Sequence, residues 1–249
     1  MTLIRLYQDA NLVYPDAALF VRGQLPRSLH KDIISKLSEE ALKRDIGLGM
    51  ACLKQFLDGI GKNPDAVLLE GIAADKELLT IVFNRTPSKA KPHLYRSIAE
   101  RMEHKPRVWE QIIRVYFEYS EVDTNWIVSR YKFHFQVATT RKLRKIINEC
   151  AKKQISAFPI DVSKREYEHL QLNYIKDGTL DKGLHKARNE TLANTIADIV
   201  QRLENKKNTQ DLILHLFVGT LHLREFAGVP PLQSFLPDSI ETELMPVPS

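Results

Sequence analysis

Apolar residues recur at helical spacing through most of this 249-residue sequence, and this periodicity constrains the fold more than any other feature. In the clearest run they occupy positions i, i+3, i+4 and i+7: Leu143, Ile146, Ile147 and Cys150. Thr139 or Thr140 can cap the start of this run through a side-chain hydroxyl. The spacing therefore predicts an amphipathic helix that ends near Lys153.

Similar runs, separated by short connections that Pro and Gly mark, predict roughly ten helices along the chain. A content of only 10 Gly argues against a turn-rich all-β protein. We therefore predict an all-α fold, an irregular orthogonal bundle with an extended N-terminal segment and a Pro-rich C-terminal tail. A short helical-repeat array is the alternative, although the sequence has no repeated signature with a period of about 30 to 45 residues.

Two strongly apolar segments, residues 66–74 and 212–226, are interpreted as central helices. Pro64 follows Asn63 at what would be a first helical position, which favours a helix start there. The second segment contains His215 and His222, which makes it a core helix and not a membrane span. The first 25 residues are expected to be extended or irregular, with a short strand as one option.

Composition predicts one helical domain over residues 1–228, with a conceivable division near residue 106, and a tail over residues 229–249. The tail holds five of the 12 prolines and three acids without a base, so we expect no stable role for it in the core. Cys52 and Cys150 lie on apolar helix faces and predict buried, reduced thiols. Together with the lack of a signal segment or an 18-residue apolar window, they predict a cytoplasmic protein without membrane contact.

The net charge of the chain is +5, and the basic residues concentrate in its middle. Between Arg130 and Lys153 there are eight Lys or Arg side chains against one acid, Glu149. At 100° per residue, most of those on the amphipathic helix fall away from its apolar stripe. The candidate binding residues are Arg130, Lys132, Arg141, Lys142, Arg144, Lys145, Lys152 and Lys153.

Two functions are compatible with this basic face. The first is a non-enzymatic subunit of a larger assembly that binds DNA or RNA through phosphate contacts. The alternative is a protein-interaction scaffold whose basic face docks an acidic partner or the acidic tail of the same chain. A solvated helix face without a partner is the simplest explanation of any charge run.

The segment 124–138 fits two structures. Tyr131, Phe133 and Phe135 alternate with polar residues, as in a half-buried strand, whereas Trp126, Arg130 and Phe133 fit a helix. If it is a helix, it forms a helix-turn-helix candidate with the basic helix that follows.

No local motif predicts catalytic residues, a cofactor or a metal. The segment Gly59, Gly61 and Lys62 lacks the spacing of a phosphate-binding loop. His215 and His222 would lie about 10 Å apart along a helix, too far for one zinc ion. The pair Glu166 and His169 is a single E-x-x-H, whereas a di-iron bundle needs two.

Overall fold

The computed structural model describes residues 1–9, 39–100, 140–162, 182–225 and 228–248. Its centre is a parallel sheet of five strands in the order β3-β2-β4-β1-β5. The strands are β1 (Thr2–Asp9), β2 (Ala66–Ala73), β3 (Ser156–Asp161), β4 (Ile213–Gly219) and β5 (Ile240–Leu244). The protein is therefore α/β, and the prediction of an all-α orthogonal bundle or helical-repeat array is wrong.

The described residues form five helices: α1 (Glu39–Ile60), α2 (Lys76–Asn84), α3 (residues 87–100), α4 (Thr140–Lys152) and α5 (Lys182–Lys207). Two short 3₁₀ helices, Thr220–His222 and Leu232–Phe235, follow β4. The helical periodicity around Leu143 is confirmed, because α4 buries its whole apolar stripe. None of the described helices combines the length and the apolar composition that a membrane span requires.

Strands β2 and β4 are the two segments that were interpreted as core helices. Helices cover both faces of a parallel sheet, so its strands are apolar at nearly every position and lack the alternation of a half-exposed strand. In β4, every residue from Leu214 to Val218 is buried. A continuous apolar run of this length does not distinguish a buried strand from a buried helix. Strand β3 contains Pro159, which it tolerates because it lies at the edge of the sheet.

Helices α1 and α4 cover one face of the sheet. Phe56 of α1 packs its ring 5.0 Å from Tyr7 of β1 and 4.8 Å from Phe217 of β4. On the same face, a side-chain methyl of Leu143 in α4 lies against Gly71 of β2. This face holds the half of the core that includes Tyr7 and His215, both fully buried or nearly so.

Helices α2 and α5 cover the opposite face. The ring centres of Phe83 in α2 and Phe158 in β3 are 4.5 Å apart, and the Arg202 guanidinium of α5 lies 3.8 Å from the centre of the Phe83 ring. The segment that leaves β4 also belongs to this side, because the Asn189 amide of α5 donates to the Pro230 carbonyl. The segment that follows β4 and α1, the next described element after β1, therefore lie on opposite faces of the sheet.

The acidic tail is part of the sheet. Strand β5 pairs in parallel with β1, from Thr2 opposite Ile240 to Leu6 opposite Leu244. Leu232, in the second 3₁₀ helix, is fully buried, and the Gln55 amide of α1 donates to the Pro246 carbonyl. The expectation that this segment has no role in the core is thus corrected.

Candidate functional site

The predicted basic residues do not form one uniform exposed surface. Arg141, Arg144, Lys145, Lys152 and Lys153 are exposed on or just after α4. Lys142 is instead buried and forms an ion pair with Asp9 at the end of β1. Arg130 and Lys132, the segment 124–138 and the Glu166/His169 pair lie outside the described residues.

Some of the exposed cations already have neighbours within the chain. The Arg144 guanidinium lies 5.2 Å from the centre of the Tyr95 ring of α3, and the Lys152 ammonium lies 3.3 Å from a Glu149 carboxylate oxygen. Exposed pairs of this kind contribute at most about 1 kcal/mol to the free energy of folding. They leave the cations accessible to solvent, so nucleic-acid binding by this helix stays a prediction.

A second group of charged side chains lies at the carboxyl ends of the strands, where the sequence predicted nothing. We call it the edge cluster: Glu70, Asp161, Arg188, Asn189 and His222. Arg188, on α5, joins two strands through its guanidinium. Its Nη2 donates to Glu70 Oε1 at 2.6 Å and to both carboxylate oxygens of Asp161 at 3.1 and 3.0 Å.

Backbone N–H groups complete the coordination of the two carboxylates. The Gly219 N–H donates to Glu70 Oε2 at 2.6 Å. Asp161 accepts from the Gly71 N–H at 3.1 Å and from the Val162 N–H at 2.8 Å. Gly71 has a φ of 90°, which glycine adopts at little cost. The carboxylates thus tie the ends of β2, β3 and β4 to one helix.

His222 connects the edge cluster to the segment that follows β4. Because the Asn189 amide nitrogen donates to Pro230, its oxygen faces His222 Nδ1, which donates to it at 2.5 Å. The other ring nitrogen, Nε2, lies 3.3 Å from Glu70 Oε1. The imidazole also stacks on His185, with ring centres 5.2 Å apart. Both nitrogens of His222 are engaged, so it orients Glu70 and is not placed to act as a free base.

The surroundings keep Glu70 ionised. Burial alone would raise the pKa of its carboxyl group. The charges of His222 and Arg188, with hydrogen bonds from His222 and the Gly219 N–H, outweigh burial and hold the pKa well below its usual value. A buried carboxylate with this environment accepts hydrogen bonds at neutral pH and does not serve as a general acid.

The Asp9–Lys142 pair lies beside the edge cluster, across the end of β4. Asp9 is opposite Gly219 in the sheet register, and Gly219 donates to Glu70. Leu143, next to Lys142, contacts Gly71 from the other face. Ionisable groups from β1, β2, β3, α4, α5 and the segment after β4 therefore meet at one edge.

The described residues contain no group of three or more His, Cys, Asp or Glu side chains arranged to hold a metal ion. The two histidines that were weighed as ligands are separated by the fold. His215 faces α1 within β4, whereas His222 lies beyond the end of that strand beside α5.

Sequence reasoning weighed His222 only as a metal ligand and missed the other four residues of the edge cluster and Asp9. The three acids share one signal, a position within or at the end of a short apolar run: Asp9 ends LIRLYQD, Glu70 lies within AVLLEGIA, and Asp161 ends AFPID. An acid in such a run marks the carboxyl end of a buried strand only if the run is known to be a strand, and the sequence alone did not show that. Comparisons of the chain with protein-family models, curated proteins and solved structures found no match.

Proposed function

We propose that the protein binds a small polar ligand beyond the carboxyl ends of β1 and β4. One observation carries this proposal: buried and partly buried ionisable side chains from six segments of the chain converge at this edge. In open parallel α/β sheets, ligands bind outside the carboxyl ends of the strands, where adjacent strands lead to opposite faces. Strands β1 and β4 form such a switch point, and Asp9 and Gly219 mark their ends.

The energetics of the edge cluster support a functional role. Removing charges from water costs several kcal/mol per ion, and well-packed apolar residues of similar volume often stabilise a fold as well or better. Apolar residues such as Leu or Met at the positions of Glu70, Asp161 and Arg188 would therefore stabilise the fold about as well as these charged residues do. Groups of buried ionisable residues with shifted pKa values are typical of binding and active sites.

The accessible atoms define the class of ligand. The side chains of Glu70, Arg188 and Asp9 are 15%, 20% and 23% exposed, and that of Lys142 is 11% exposed. Arg188 and Lys142 can donate to phosphate or carboxylate oxygens of a ligand. The carboxylates of Glu70 and Asp9 can accept hydrogen bonds from its hydroxyl groups. A ligand that carries both an anionic group and hydroxyls, such as a nucleotide or a sugar phosphate, matches this set.

A ligand panel tests the proposal. Isothermal titration calorimetry with AMP, ribose 5-phosphate and glucose 6-phosphate, each against its unphosphorylated counterpart, measures affinity and the contribution of the anion. Arg188→Lys keeps the charge but loses the planar fork, so it should weaken binding at least about tenfold. Arg202→Lys, further along the same helix and away from the edge, is the matched control and should bind like the wild type. Failure of every phosphorylated ligand to bind, or equal affinity in Arg188→Lys, would overturn the proposal.

A further inference from the structure

A separate cavity of about 460 Å³ lies between α1 and the segment that follows β5. Its walls include Tyr7, Ala51, Lys54, Lys62, Met245 and Pro248. The volume falls within the range of about 300 to 1,000 Å³ that is typical of small-molecule sites. The cavity lies on the α1 side of the sheet and shares no residue with the edge cluster.

Tyr7 lines the cavity, and a second buried polar ring, that of His215, lies behind it. Tyr7 is 2% exposed and His215 is 0% exposed, with their ring centres 5.1 Å apart. Neither nitrogen of His215 has a hydrogen-bond partner among the described residues. Leaving a buried polar atom without a partner destabilises a fold. The fold therefore keeps an unused hydrogen-bonding group behind the wall of a cavity.

Gly59 separates these rings from solvent. It lines the cavity, and a Cβ at this position would lie 2.4 Å from the Tyr7 hydroxyl and 3.2 Å from His215 Nδ1. Any side chain here would collide with the Tyr7 hydroxyl. Glycine thus lets α1 approach the ring pair closely and leaves the hydroxyl at the cavity wall.

The charge states of the two rings follow from their burial. Burial raises the pKa of Tyr7, so its hydroxyl stays protonated and can donate. Burial, with smaller contributions from Arg5 and Lys62, lowers the pKa of His215 to about 4. At neutral pH the imidazole is uncharged and offers one donor and one acceptor.

We propose that this cavity binds a small organic anion with an apolar body, held by Lys54 and Lys62 at the mouth and by the Tyr7 hydroxyl at the inner wall. Asp58 also lines the cavity, so the two ammonium groups leave an excess of one positive charge at its mouth. Ala51, Met245 and Pro248 provide apolar contacts for the body of the ligand. His215 completes the site from behind, through rearrangement of the Tyr7 ring or through a bridging water.

NMR titration with benzoate, phenyl phosphate and uncharged benzyl alcohol tests this inference. Either anion should produce saturable shifts at the Gly59 amide and the His215 ring. The affinity of the anion should be at least about tenfold higher than that of benzyl alcohol. The variant Lys54→Gln/Lys62→Gln changes only exposed side chains and should weaken anion binding by a similar factor. The edge-cluster variant Arg188→Lys should bind both anions like the wild type, which separates this site from the one proposed above.

Two results would overturn the inference. One is the absence of saturable shifts at the Gly59 amide and the His215 ring for both anions at concentrations up to about 10 mM. The other is equal affinity for the anions and for benzyl alcohol, which would leave the lysines without a role.

Discussion

Replacing Arg188 with Met should destabilise the protein strongly, because two buried carboxylates would lose their shared cation. The side chain of Asp161 is 0% exposed and that of Glu70 is 15% exposed, so water can replace the guanidinium only in part. Breaking a buried pair by removing one partner costs about 3 to 5 kcal/mol.

The expected loss lies near the lower end of that range. Asp161 keeps its hydrogen bonds from the Gly71 and Val162 N–H groups, and Glu70 keeps those from Gly219 and His222. A loss of about 3 kcal/mol corresponds to a fall of about 6 to 12 °C in Tm for a chain of this size. Urea denaturation followed by circular dichroism measures the free energy of unfolding directly. Arg96→Met is the control, since Arg96 is 80% exposed and its ion pair with Glu100 spans 3.6 Å; it should cost less than about 1 kcal/mol.

The pH dependence gives the same prediction a second test. In the wild type the folded-state pKa of Glu70 is lowered, so its stabilisation is present above about pH 5 and is lost as pH falls through the folded-state pKa. In Arg188→Met the buried carboxylates lose a stabilising charge, and protonating them at low pH relieves the variant. The difference in unfolding free energy should therefore shrink between pH 7 and pH 4. A loss below about 1 kcal/mol, or a difference that does not change with pH, would refute the reasoning.

Three further predictions follow from other parts of the molecule. Gly59→Ala should destabilise the protein by about 1 to 3 kcal/mol in urea denaturation because its Cβ meets the Tyr7 hydroxyl, whereas Gly47→Ala, with nothing within 4 Å of its Cβ, should gain about 0.5 to 1 kcal/mol. If the two substitutions changed the free energy of unfolding in the same direction, the packing of α1 described above would be contradicted. Deleting residues 229–249 removes β5 and buried Leu232, so it should lower Tm by at least about 5 °C; an unchanged Tm would contradict the role of this segment in the sheet. The predicted nucleic-acid binding requires an affinity for oligonucleotides that falls steeply with salt and is lost in Arg141→Glu/Lys145→Glu; fluorescence anisotropy that detects no binding at low salt removes that prediction.

The helices could be predicted from the sequence because each buries an apolar stripe with a period near 3.6 and exposes its polar side to solvent. Helix α4 buries the residues its spacing indicates, and α2 begins with Asp75 as its N-cap, whose side chain accepts from the Leu78 N–H at 2.8 Å. Cys52 and Cys150 are both buried, as expected. These features depend on neighbours within a few positions, which a single sequence shows directly.

The sheet and the edge cluster could not be predicted because they depend on contacts between distant residues. Strands β2 and β4 are buried on both faces, so their sequences lack the alternation that identifies a half-exposed strand. Glu70 and Arg188 are 118 positions apart, and Arg188 looks like an ordinary polar residue of a helix surface. Lys142 was assigned to an exposed basic face, yet its partner Asp9 lies 133 positions away. Local patterns carry no information about such pairs.

The amide signals of Gly71 and Gly219 test the central claim most directly, since these N–H groups donate to the carboxylates of Asp161 and Glu70. A ¹H–¹⁵N NMR titration with AMP and the two sugar phosphates should shift both signals saturably for at least one ligand, and should leave Gly47 on α1 unchanged. If both signals stay unchanged for every ligand while the protein remains folded, the edge cluster is not a ligand site.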